Sequence, residues 1–66
     1  MKLVIEIEMD NDAFQHPIPN PEVVRILEGF TQHLSNWGKL DREDIVQVFH
    51  DANGNYVGKA EVRNAS

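Results

Sequence analysis

Asn53-Gly54 lies between Ile45–His50 and Tyr56–Arg63, two β-prone runs, and that arrangement demands a β-hairpin. Two registers are open. With Asn53-Gly54 as a two-residue turn, Phe49 faces Gly58 and Ile45 faces Val62. Ile45, Gln47, Phe49, Gly58, Ala60 and Val62 then turn toward the core. With Ala52-Asn53-Gly54 as a three-residue loop and a bulge, Val46, Val48, Ala60 and Val62 turn inward and Phe49 turns out. The first is preferred, because Phe49 is the largest apolar group in its strand and a facing glycine leaves its ring space.

The rest of the chain must cover that hairpin. With 66 residues there is room for one domain, and the absence of cysteine removes disulfides and thiolate metal sites as staples. Lys2 to Met9 alternates: Leu3, Ile5, Ile7 and Met9 point one way, and Lys2, Val4, Glu6 and Glu8 the other. A period of two predicts a strand over 2–9 with one wet face. Asp10 to Asn20 holds two prolines and reads as an extended connector, with Phe14 and Ile18 tucked under the core edge. Asn20-Pro21-Glu22 is a helix start, with Asn20 as cap. Val23, Ile26, Leu27, Phe30, Leu34 and Trp37 follow at helical spacing and form one apolar stripe. The helix is therefore expected over 21–37, closed by Gly38 in a left-handed cap.

These elements predict an α+β fold, a small single-layer β-α-β-β sandwich with one helix packed on a three-stranded sheet. Its strands are 2–9 and the hairpin 45–50 and 56–63. A parallel crossover through the helix leads from the first strand to the hairpin, and the preferred order sets strand one beside, and parallel to, strand three. One helix covers one side of the sheet. The open side is expected to mix Val4, Val46, Val48 and Val57 with Glu6, Glu8, Lys59, Glu61 and Arg63, a face suited to a partner or a second copy.

Six Lys and Arg against eleven Asp and Glu give a net charge of −5, which argues against direct binding of nucleic acid. No apolar run reaches the ~20 residues of a membrane span, so no membrane partner is expected. The lack of cysteine fits a reducing, cytoplasmic setting.

Asp51-x-Asn53-Gly54-Asn55 imitates the opening of a calcium loop, but Tyr56 stands where that loop needs glycine and Val62 where it needs glutamate. The segment reads as a turn. His16, His33 and His50 share no i, i+4 spacing and no cysteine joins them, so no metal or other cofactor is expected. No Ser/His/Asp set, phosphate loop or basic-aromatic patch is present, and the chain reads as non-enzymatic. What remains is acid. Glu6, Glu8 and Asp10 precede the helix and Asp41, Glu43 and Asp44 follow it; if the two segments adjoin, they form one stripe for a basic partner surface. Trp37 reads as closing the core or as an exposed anchor.

The Val-Val-Arg-Ile-Leu helix and above all Asp51-Ala-Asn-Gly-Asn-Tyr-Val-Gly58 resemble a set of short, uncharacterised phage and prophage proteins ending in such a hairpin. The resemblance implies a viral or mobile-element origin and action in the host cytoplasm. The expectation is a small acidic protein that binds a protein partner, inhibiting a host defence complex as anti-CRISPR proteins do. The alternative is a homodimer or larger assembly of a phage, joined through Val4, Val46, Val48 and Val57.

Overall fold

The computed structural model describes residues 1–15 and 17–64, in the order β1 (Lys2–Ile7), a 3₁₀ turn (Asp12–Phe14), α1 (Asn20–Ser35), β2 (Asp44–His50) and β3 (Tyr56–Arg63). One helix packs on a three-stranded sheet of order β1-β3-β2, an α+β fold. Strand one does lie beside strand three, but the two are antiparallel rather than parallel. The crossover through the helix returns the chain to the end where β1 began, and only the hairpin gives a net reversal. β1 and β2 therefore share a direction, with β3 inserted between them. No described helix is long and apolar enough to cross a membrane.

The hairpin combines the two expected registers. Gly54 N–H donates to Asp51 O and Asp51 N–H to Asn55 O, so Ala52-Asn53-Gly54 is a three-residue loop. Among the described residues only Gly54 has a left-handed φ, +86°; Asn53 does not, which excludes the two-residue turn preferred from sequence. Beyond the loop, however, Phe49 does face Gly58. The register shifts because Val57 is an extra residue on β3, and it shifts back because Val46 is an extra residue on β2.

These bulges decide the core. A regular strand cannot turn both Val46 and Phe49 inward, since they are three residues apart. Here they are 4% and 1% exposed, and Val57 is 1% exposed. Val46 and Val57 are thus core residues, not members of the open face. Ile45, expected inward, is exposed instead. Val4 and Val48 do lie on the open side, opposite Glu61 and Lys59.

Phe30 from α1 meets Phe49 edge-on, with ring centroids 5.7 Å apart, and Phe14, Ile26, Ala60 and Val62 complete the buried cluster. Phe14 tucks in as expected. Ile18 does not: it is exposed, carried outward between Pro17 and Pro19 after Phe14 has filled the space. The helix begins one residue early, with Asn20 inside it and no side-chain cap, and ends at Ser35. Ser35 Oγ and Asn36 Nδ2 both donate to Gln32 O and close the last turn, so Gly38 is not needed as a left-handed cap and does not adopt that φ.

β1 stops at Ile7 rather than Met9; Glu8 N–H makes the last rung, to Val57 O at 2.7 Å. Leu3, Ile5 and Ile7 pair with Val62, Ala60 and Gly58 and so share the helix side of the sheet. The helix packs chiefly on β2 and the 3₁₀ turn. Leu3 and Ile5 are left 39% and 42% exposed.

Candidate functional site

All six acids singled out in the sequence are exposed, but the fold does not bring them together. Asp44 is level with Val62 and, through it, with Leu3; Glu8 is level with Val57. Five strand residues, about 17 Å, separate those levels. Glu6, Glu8 and Asp10 lie toward one end of the sheet and Asp41, Glu43 and Asp44 toward the other, so a single acidic stripe does not form. The cause is the shared direction of β1 and β2, which sets the end of one strand opposite the start of the other.

Glu6 also has a partner of its own. Arg63 Nη2 reaches its Oε1 at 3.1 Å and Glu61 Oε1 at 2.5 Å, while Lys59 Nζ stands 3.6 Å from Glu61 Oε2. This ladder crosses the open face. The hydrogen bond from Arg63 holds the Glu61 carboxyl below its ordinary range, against the opposing effect of desolvation.

Asp41 and Asp44 border a crevice of about 460 Å³ between residues 36–44 and the sheet. Its apolar lining is Trp37, Leu40, Val46 and Val62, and Lys39 and Arg42 join the two acids at its rim. Trp37 is half-buried, and both of its expected roles meet here: it packs against the core and walls the crevice. Its backbone N–H donates to Leu34 O at 3.1 Å, and the His33 ring lies 5.4 Å from its own, tilted by 47°. His33 Nε2 is 3.0 Å from Val46 O, which ties that wall to β2. Glu43 flanks the crevice and accepts from the Asn64 side-chain amide.

Two acids read from the sequence only as parts of a turn and a helix start, Asp51 and Glu22, are buried. Asp51 Oδ1 accepts from the Asn53 and Asn55 amides, both at 2.9 Å, and Oδ2 from the side chains of Asn55 and Asn11. Burial pushes this carboxyl up, but the bonds together outweigh it and hold it below its ordinary value. Glu22 takes a two-pronged bond from Arg25, at 2.7 and 2.9 Å, and the Ala52 amide at 2.7 Å. The Arg25 bond comes first in lowering its pKa; burial opposes, and the amide adds. Arg25 also donates to His50 O. The helix start, the connector and the hairpin loop are thereby knitted together. The sequence signal was present in Asp51 itself, two residues before Asn53, where a carboxylate caps its own turn. The signal for Glu22 was not, since its partner is thirty positions away.

Asp51 is thus surrounded by N–H donors, as a turn requires and a calcium loop does not. His33 is turned to Val46 O and His50 stacks edge-on to Tyr56, while His16 lies outside the described residues. Among the described residues no three His, Asp or Glu side chains converge as a metal site requires. Compared with known protein families, curated proteins and solved structures, the chain matches none.

Proposed function

We propose that this chain is a non-catalytic binding protein that holds a protein partner at the crevice beside Trp37. The crevice itself carries the reading. Its apolar lining suits aromatic or branched side chains of a partner, and its rim offers charges of both signs. Asp41, Glu43 and Asp44 are the acidic contacts at that end. Glu6, Glu8 and Asp10 are contacts only for a partner that spans the sheet. The resemblance to phage and prophage proteins points to a host protein in the cytoplasm as that partner, with a defence complex of the kind anti-CRISPR proteins block as the class to examine.

The test is capture from host-cell lysate at low and high salt, with the wild type, D41K/D44K and E6K/E8K compared. The reading requires one stoichiometric protein that D41K/D44K loses while its circular dichroism is unchanged. Capture that both variants retain would overturn it. Loss in E6K/E8K alone would move the contact to β1.

A second reading, self-association, is favoured by Leu3 and Ile5, which stand half-exposed on an outer strand.

A further inference from the structure

The sheet has two outer strands, and they differ. β2 is interrupted by the extra residue Val46, whose carbonyl is taken by His33. Bulges and side-chain cover are the usual means of closing an edge to other strands. β1 has neither. Its pairing with β3 is regular from Lys2 to Ile7. Glu8 N–H points to β3, so by strand alternation the N–H and C=O of the even positions face inward and those of Leu3, Ile5 and Ile7 face outward. Among the described residues, no hydrogen bond from another element reaches that outer edge.

The side chains on this edge are complementary to themselves. Reversed about Val4, the segment Lys2-Leu3-Val4-Ile5-Glu6 sets Lys2 opposite Glu6 and Leu3 opposite Ile5. The odd-with-odd pairing of Leu3 and Ile5 is also the one that outward-facing backbone groups require. The neighbouring symmetric register about Ile5 keeps a Lys2–Glu8 pair but sets Val4 against Glu6 twice, and the next, about Glu6, sets Glu6 against its own copy.

We propose that two copies of this chain join through β1, antiparallel about a two-fold axis at Val4, to form one six-stranded sheet. The proposal deepens the self-association reading and does not depend on the crevice. Leu3 and Ile5 of both copies then close a single apolar strip on the helix side. On the other face, two Lys2–Glu6 pairs flank the paired Val4 side chains. Glu6 Oε1 keeps Arg63, leaving Oε2 for the second copy's Lys2.

Sedimentation equilibrium across concentration reads the mass against the 7.5 kDa of one chain. Doubling is expected. Lys2→Glu and Glu6→Lys should each weaken the dimer about tenfold, because two attractive pairs become repulsive, and K2E/E6K should restore it. The chain has no cysteine, so single-cysteine variants report the register cleanly. Val4→Cys sits on the axis at a non-hydrogen-bonded pair, within disulfide reach, and should cross-link on mild oxidation, whereas Ile5→Cys should not. A chain that stays monomeric to millimolar concentration overturns the proposal. So does a dimer indifferent to the charge swaps, or one that cross-links through Ile5→Cys. None of these results bears on capture at the crevice.

Discussion

The Glu22 carboxylate, on the first turn of α1, accepts the Ala52 amide of the hairpin loop at Oε2, 2.7 Å away, while Arg25 forks onto both of its oxygens. Few contacts join the start of the helix to the far end of the hairpin so directly. Glu22→Ala leaves the Ala52 N–H unpaired in a partly buried place and frees Arg25 from its fork. The expected loss is about 2 kcal/mol in urea denaturation. Arg25→Ala should cost less, because its side chain is half-exposed and the Ala52 bond survives. Equal losses would show that the ion pair, not the amide, holds the loop.

Glu22 and Asp51, the two buried carboxylates, dominate the response to acid, with Glu61 on the open face lowered as well. Glu22 and Asp51 are both held below their ordinary values of 4.5 and 3.8. A lowered carboxyl contributes stability above its unfolded value, and that contribution is lost as pH falls through the folded one. The urea midpoint should therefore hold between pH 7 and 5 and fall below about pH 4. E22Q/D51N should start lower and fall less. A wild type as stable at pH 2.5 as at pH 6 would remove these bonds from the account.

Local pattern carried most of the fold. The period of two in Leu3, Ile5 and Ile7, the apolar stripe from Val23 to Leu34, and the Asn53-Gly54 turn gave the elements and one helix on a three-stranded sheet, but not the direction of β1 against β3 or the full membership of the open face. What local pattern could not carry was the pair of bulges. Val46 and Val57 are β-branched residues in β-prone runs, and nothing in their neighbours marks either as the unpaired one. That choice is made by the volume under Phe30, which takes Phe49 and Val46 together. The candidate site was legible only in part for a related reason. Asp41 and Asp44 are visible as acids, but the crevice they border exists because Trp37 and Val62, far apart in sequence, meet beside them.

Gly58 was expected to be glycine so that Phe49 could fit. The structure gives a stronger reason: a Cβ there would stand 1.9 Å from Glu6 O, beside the bulge at Val57. Gly58→Ala must push β1 away from β3 and should cost at least about 3 kcal/mol, a large share of what so small a domain has. Gly29 is the opposite case. Nothing lies within 4 Å of its added Cβ, and it sits mid-helix, so Gly29→Ala should stabilise by up to about 1 kcal/mol. Thermal melts of the two variants should move in opposite directions, and a G58A protein that melts like the wild type would mean that β1 does not approach β3 this closely.

Val46 and Val48 put the bulge itself to the test. In an unbroken strand they share a face, and alanine at either would cost about the same. Here Val46 is buried under α1 while Val48 is 43% exposed opposite Lys59. Val46→Ala should lose about 2 kcal/mol, from both the missing methyl groups and the cavity they leave. Val48→Ala should lose no more than about 0.5 kcal/mol, as surface positions do. Val48→Lys should likewise fold, since its side chain ends in solvent, whereas Val46→Lys would place an unpaired ammonium in the core. If the two lysine variants behave alike, then β2 runs without its extra residue, and Phe49 and Val46 cannot both be in the core.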